Sequence, residues 1–439
     1  MIRRTIREWQ RIDYGLDNES LPQGQADRLA ALARGSRFAG KSGEGVLEHG
    51  RKGLRARGVV GVLATSDCQL EILPKIEGAG EGPVSEARLR QRLIHMLSTV
   101  HELPIDTGAM TSLAWQRDTV LELMIRLFCN KLTDAVRIGM PRHYIEQEED
   151  LTTLRGRLDV TRQFSVLAVS PQRLACRFDA LSPDIALNQV MRATIAKLTR
   201  LAQAPDNQRS LRELGFVYAD VAQVAPKALR WEQITLDRSN QRWRDLLALA
   251  RLFLIERHQQ TSGGAVEGHA LLFEMNVLFE KFVARLLSQA LAGSGLRVRA
   301  QTGQRDCLYE GDNGRFRTKP DILVWQDDRV VMVIDTKWKR IVPRINDPKQ
   351  GVAQSDVYQL MAYAQLYNCQ NVMLLYPHHA DLPAEPLCQH FAIARQDAAE
   401  RLSLATLDLT GPARAQKEAL KQLVSAALSE APKALAARD

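Results

Sequence analysis

A chain of 439 residues is long enough for two or three domains, and a hydrophobic share of 45% is enough to build substantial cores. Charged residues make up 25%, so the protein is expected to be soluble. No uninterrupted apolar run approaches the ~20 residues of a membrane span. The net charge of +8 favours a polyanionic partner such as nucleic acid, although each arginine cluster taken singly (RKGLRAR from Arg51, Arg155-Gly156-Arg157) reads as a solvated face. The six cysteines are scattered without CxxC spacing, and the N-terminus has no apolar segment of the signal-peptide type. Free thiols in a reducing cytoplasm are the simplest expectation.

In chain order, Gln25 to Arg34 has the spacing of a short helix. Val59 to Leu63 and Gln69 to Leu73 are apolar runs around Thr65-Ser66-Asp67, which predicts a β-hairpin ending at Pro74. A Gly-rich linker from Glu77 to Pro83 closes a β-containing N-terminal domain over 1–78. A mainly helical middle domain is expected over 84–260. Its predicted helices are Ser85 to His101, Trp115 to Arg137, Asp184 to Ala202 and Trp243 to Ile255, with loops or short strands over Leu151 to Phe178. Beyond the break at Thr261 to Gly264, a third domain is expected over 265–400. It opens with a helix from Leu271 to Leu291, then a strand at Val298 to Gln301 and a polar turn region to Gly314. A helix over Val357 to Tyr367 and a strand over Val372 to Tyr376 come later, and a helical tail occupies 401–439. The fold class is α/β.

The stretch from Thr318 to Lys339 carries the chemistry. Ile322 to Trp325 and Val330 to Ile334 read as two buried strands joined by Gln326-Asp327-Asp328. Asp321 opens the first strand, Asp335 closes the second, and Lys337 follows two residues on. Side chains alternate along a strand, so Asp335 and Lys337 point the same way, and the hairpin can bring Asp321 beside them. Two carboxylates suit Mg²⁺ or Mn²⁺, which keep their waters and bind a substrate phosphate. A lysine beside the ion can orient or help deprotonate water and offset developing charge.

This set, with a helix before and after it, resembles the PD-(D/E)xK nuclease superfamily. Gln359 and Tyr363 have the QxxxY spacing of some of its branches, which places both on one helix face. Of Glu274 and Glu280 on the preceding helix, Glu280 is the position where the superfamily often adds an acidic metal ligand. More narrowly, the order of segments resembles the McrC family of nuclease subunits from modification-dependent restriction systems. The matching segments are EILPKI (Glu71 to Ile76), LRGRLD (Leu154 to Asp159), CRFDALSPDIALNQV (Cys176 to Val190), MNVLFEKFV (Met275 to Val283), IDTKWK, YQLMAYAQLY and LLYP (Leu374 to Pro377). The N-terminal length departs from some shorter members. The resemblance implies a C-terminal nuclease core built as a mixed sheet flanked by helices, with Asp321, Asp335, Lys337, Gln359 and Tyr363 in the catalytic set. It implies Asp321, Asp335 and Glu280 toward the metal, and cleavage of double-stranded DNA carrying modified cytosine. It also implies a hexameric AAA+ GTPase partner of the McrB kind whose GTP hydrolysis the chain stimulates.

Two readings of other classes stand beside it. The chain can be a non-catalytic, GTPase-activating adaptor with a vestigial core. It can also be a nucleotide-binding protein, because Gly35 to Ser42 (GSRFAGKS) fits the P-loop pattern G-x-x-x-x-G-K-[ST]. A working P-loop joins a strand to a helix. Here a helical segment precedes the motif and a Gly-rich one follows, so a flexible loop is the expectation. His378-His379 is expected to be a surface loop.

Overall fold

A computed structural model describes residues 1–75, 85–103, 116–170, 172–238, 240–254, 268–341, 351–383, 385–386, 388–393 and 401–429. The expected linker at Glu77 to Pro83, the break at Thr261 to Gly264 and the end of the helical tail lie outside them. The chain divides into two compact units, one formed by 1–120 with 258–439 and the other by 121–257. None of the six cysteines is in a disulfide. Among the described residues no helix is long and apolar enough to cross a membrane.

The first unit contains two sheets that matter for the site. The expected hairpin forms from Val59–Thr65 and Cys68–Leu73, with Leu63 opposite Leu70. Ile2–Arg7 adds in parallel on one side, and Gly268–Glu274 adds antiparallel on the other. The hairpin strands are buried almost throughout, which is why they read as continuous apolar runs and not as an alternation. Helix Gln23–Arg34 covers this sheet with Ala26, Leu29, Ala30 and Ala33. Gly61 is a required glycine. Its φ is +128°, and a Cβ there would lie 1.9 Å from the Leu271 carbonyl oxygen of the neighbouring strand.

The Gly268–Glu274 strand corrects an expectation. The helix predicted from Leu271 starts only at Met275 and runs to Ala290, because Ala270 to Phe273 is spent on pairing with Val60 to Leu63. A short Leu/Phe run does not declare by periodicity whether it is strand or helix. Segments expected in the 1–78 and 265–400 domains lie in one compact unit, joined through this strand, and the helix Glu86–Val100, expected in the 84–260 domain, lies in that unit as well.

The second sheet has six strands in the order Leu296–Ala300, Ile322–Gln326, Arg329–Thr336, Asn371–Pro377, Arg401–Leu407, Cys388–Ala392. Its first three strands are antiparallel, its middle three run parallel, and the last is antiparallel. The tail expected to be helical over 401–439 is corrected: it begins with the strand Arg401–Leu407, whose apolar residues pair in parallel with Asn371–Pro377, and becomes helical only over Ala413–Ser429. Helices Met275–Ala290 and Ala413–Ser429 pack together and on this sheet. Helix Gln354–Leu366 places Leu360, Tyr363 and Ala364 in a core with Leu323, Val333, Val372 and Leu374. This is the mixed sheet flanked by helices that the sequence led us to expect. The polar stretch before Gly314 is not simply a turn: Asp306–Glu310 and Asn313–Arg317 pair as an exposed hairpin. Its residues have no buried face, so the stretch carries no apolar alternation to detect.

The second unit contains helices Ala186–Leu201, Pro205–Val217 and Arg244–Leu254, and a three-stranded antiparallel sheet of His143–Leu151, Leu174–Ser182 and Arg157–Leu158. LRGRLD supplies the short third strand. Gly156 has φ +69°, and a Cβ there would meet the Arg177 carbonyl oxygen at 2.3 Å. The Arg155 guanidinium stacks 4.0 Å from the Phe178 ring.

Candidate active site

The hairpin that carries Asp321 and Asp335 is held in register by its apolar strands. Ile322 lies opposite Ile334 and Leu323 opposite Val333, all four of them buried. One step outward, that register brings Asp321 to Asp335. The turn is closed by Asp327 in a left-handed conformation (φ 51°), which Asp tolerates better than bulkier residues. Asp321 is fixed by its neighbour across the hairpin. Its Oδ2 accepts from the Thr336 backbone N at 2.8 Å and from Thr336 Oγ1 at 2.9 Å.

Asp335 is 1% exposed. Lys337 Nζ lies 2.8 Å from Asp335 Oδ2, so the period-two expectation for these two side chains is met. This is an ion contact off the angle of a hydrogen bond, and Oδ2 has no aligned donor. The lysine is held on its other side by helix Gln354–Leu366. Its Nζ donates to Gln359 Oε1 at 3.1 Å and lies 3.7 Å from Asp356 Oδ1. Gln359 Nε2 in turn donates to Tyr363 Oη at 2.8 Å. The i, i+4 pair therefore works as one strut behind the lysine. Glu280 is nearly buried on helix Met275–Ala290, and its Oε1 accepts from Gln301 Nε2 at 2.7 Å.

Burial sets the protonation behaviour of the group. Desolvation, then the charge of Asp321, pushes the Asp335 carboxyl up to about 6. The same two causes push Glu280 up to about 7. Asp321 is also raised by burial, against the pull of its Thr336 hydrogen bonds. For Lys337 burial opposes the charge, but contact with Asp335 and the charges of Asp356 and Asp321 outweigh it, so the ammonium is held above its usual range. A divalent cation held by these carboxylates would offset the desolvation and repulsion that raise them.

The fit of a divalent ion can be judged from these donors. Among the described residues no three or more His, Cys, Asp or Glu side chains are gathered tightly enough to hold a metal ion as a closed set. A buried and a half-buried carboxylate, with Asp335 Oδ2 free of aligned donors, do suit Mg²⁺, which commonly takes one or two carboxylates and fills its remaining positions with water and phosphate. Asp321 and Asp335 meet that requirement. Glu280 faces the same charge field but is engaged by Gln301.

Three members of the arrangement were not singled out from the sequence. Thr336 anchors Asp321. Gln301 holds Glu280. Asp356, 6% exposed, contacts Lys337 and accepts from Lys339 Nζ at 2.8 Å. Asp356 lies three residues before Gln359, so helical spacing was the signal that could have found it. Gln301 and Thr336 carry no such signal. His378 and His379 correct the surface-loop expectation. They are 1% and 0% exposed, with His378 Nδ1 3.0 Å from Thr406 Oγ1 and His379 Nε2 2.8 Å from the Ile341 carbonyl. The strand Asn371–Pro377 carries them into the interior at its end. Gly35 to Ser42 follows a helix and contains only the single turn Arg37–Ala39 before the strand Leu47–His49. No helix N-terminus is presented to a phosphate there.

Residues 54–377 match the family model described as McrBC 5-methylcytosine restriction system component. Two solved structures share the fold. A refined half-complex from a tetradecameric assembly of Thermococcus gammatolerans McrB AAA+ hexamers with bound McrC contains a chain 21% identical over 97% of this chain and 99% of that one, with a TM-score of 0.72. The cryo-EM structure of the Thermococcus gammatolerans McrBC complex contains one 23% identical over 66% and 88%, with a TM-score of 0.51. No curated protein sequence matches.

Proposed function

The chain belongs to the McrBC 5-methylcytosine restriction system component family, and from that premise we propose that it is the DNA-cutting subunit of such a system. The observation that carries this reading is the Asp321–Asp335–Lys337 arrangement at one end of the six-stranded sheet, with Lys337 Nζ 2.8 Å from Asp335. A vestigial core would have no reason to keep two desolvated carboxylates against a half-buried ammonium, since such a group costs folding energy and is retained where it serves a function.

In this reading Asp321 and Asp335 hold Mg²⁺, or Mn²⁺, and Glu280 adds to the field. When bound, the ion supplies divalent positive charge to the scissile phosphodiester. Thr336 keeps the Asp321 carboxylate aimed, so its orientation costs nothing at the moment of reaction. Lys337 stays charged under the influence of its carboxylate neighbours. It therefore acts by positioning the attacking water and by offsetting charge that develops on the phosphate, and not as a neutral base. Gln359, braced by Tyr363, fixes where that ammonium can reach.

The substrate is double-stranded DNA carrying modified cytosine. The partner is an AAA+ GTPase of the McrB kind, arranged as a hexamer, whose GTP hydrolysis this chain stimulates. The family match and the likeness to a chain from an assembly of McrB AAA+ hexamers with bound McrC support this. The test is reconstitution with an AAA+ GTPase of the McrB kind. Asp335→Ala is expected to abolish cleavage of methylated plasmid while GTPase stimulation persists. Cleavage that survived the change would remove the site assignment. Wild-type stimulation without any cleavage would favour the adaptor reading.

A further inference from the structure

A second cationic centre lies in the same compact unit, around Trp9. This residue is 40% exposed and has a φ of 67°, an unusual backbone conformation for a bulky side chain. It is pinned twice: its N donates to the Ala56 carbonyl at 3.0 Å, and its own carbonyl accepts from Arg55 Nε at 3.1 Å. The Arg57 guanidinium sits 5.5 Å from the indole centroid and the Lys75 ammonium 5.6 Å. Arg340 is close enough that its charge adds to burial in depressing the Lys75 pKa, against the pull of Glu8. Three of these cations have a carboxylate nearby, Glu8 in the case of Lys75, and Arg55 binds a backbone carbonyl instead. Arg57 reaches Glu48 at 3.2 Å, and Arg340 reaches Asp381 at 3.6 Å. Arg57 and Lys75 face the ring, Arg55 is bonded to the backbone carbonyl of the same residue, and the charge of Arg340 reaches Lys75, a grouping suited to a phosphate-bearing ligand.

The position of the cluster decides which polyanion that is. Glu8, 2% exposed, accepts from Trp338 Nε1 at 2.6 Å and from the Lys75 backbone N at 3.1 Å. Trp338 is the residue after Lys337, so the cluster is tied by one buried hydrogen bond to the end of the strand that carries the reaction. Trp338 also packs its ring 5.4 Å from Phe279, the neighbour of Glu280. One turn of duplex extends ~34 Å and carries a phosphate charge about every 1.7 Å. A duplex whose backbone meets Lys337 is long enough to carry further phosphates toward a cationic surface joined to the same strand end.

We propose that Trp9, Arg55, Arg57, Lys75 and Arg340 form a DNA-backbone site that holds the duplex beside the cleavage centre without reading its bases. The inference rests on the nuclease reading only in taking that sheet end as the place where DNA arrives. An acidic protein surface offers the same charge, but it has no need of a buried link to the catalytic strand.

The test uses the intact chain and a short unmodified duplex, with binding followed by fluorescence anisotropy in EDTA across a salt series. Arg55→Glu with Arg340→Glu changes two exposed side chains, so folding is expected to be kept, and circular dichroism checks this. Wild-type affinity should fall with salt. The double variant should bind at least tenfold more weakly, with the slope of log affinity against log salt reduced by about 1.8, near 0.9 for each lost phosphate contact. Lys75→Arg should retain binding and Lys75→Met lose it. The proposal is overturned by unchanged affinity and slope, by a wild-type chain that does not bind the duplex, or by a loss confined to binding of the GTPase partner. No cleavage is read, so the two ideas fail separately. Asp335→Ala that still cut DNA would sink the nuclease assignment and leave this binding result standing.

Discussion

Two stretches of this chain match short patterns of known chemistry, and the fold treats them differently. Asp321 to Lys337 sits on two paired, buried strands that bring its charged residues to one point and brace them from a helix. Gly35 to Ser42 matches the phosphate-cradling pattern more completely, yet it leaves a helix and enters a strand, with a single helical turn between. A P-loop works because backbone N–H groups at a helix N-terminus converge on phosphate. Without that helix the residues are a glycine-rich loop. A motif is worth what its scaffold does with it, and the shorter, weaker pattern is the one with the scaffold.

Substitutions along the two stretches should separate them in a graded way. The largest effect is expected for Asp335→Asn, which keeps the shape and removes the charge. Plasmid cleavage by the reconstituted complex should fall by about three orders of magnitude, because several kcal/mol of charge stabilisation is lost at ~1.4 kcal/mol per tenfold. Next comes Lys337→Ala, with a loss on the order of 10²–10³ in the single-turnover rate and little change in DNA affinity. Equal losses in affinity and rate would instead make Lys337 a general phosphate anchor.

Asp356→Asn should act through Lys337 and Lys339. A drop of about tenfold in rate is expected, the scale of one hydrogen bond to a charged group. Restoration of the rate by Asp356→Glu would mark a positioning role, whereas equal damage from both variants would mean that the helix start had been disturbed. The smallest effect is expected for Lys41→Ala, with cleavage within twofold of wild type and no nucleotide binding by the isolated chain before or after the change. Nucleotide binding that Lys41→Ala removed would make Gly35 to Ser42 a real site and reverse the comparison.

Much of the site was legible because its spacing is local. Asp335 and Lys337 are two apart on a strand, and Gln359 and Tyr363 are four apart on a helix, so one period each was enough to align them. Asp356 obeys the same helical rule and was overlooked for want of a motif that names it. Gln301 and Thr336 could not be found that way. Gln301 reaches Glu280 from the end of the strand Leu296–Ala300, and Thr336 matters only because a hairpin partner lies across from it. The buried histidines show the same limit, since nothing local to His378-His379 says that the interior receives them.

Short-range patterning sufficed for the α/β class, for most of the helices, for both core hairpins and for the alignment of Asp335 with Lys337 and of Gln359 with Tyr363. These follow from side-chain direction along a single strand or helix, which is fixed by backbone geometry within a few residues. Long-range pairing decided the rest. The strand Gly268–Glu274 looks helical until Val59–Thr65, some 200 residues earlier, claims its hydrogen bonds. The same closure places the N-terminal sheet beside the strand that carries Asp335, where Glu8 meets Trp338 across 330 positions. An apolar run satisfies burial as helix or as strand, and only the partner whose backbone groups it must pair with settles which it becomes.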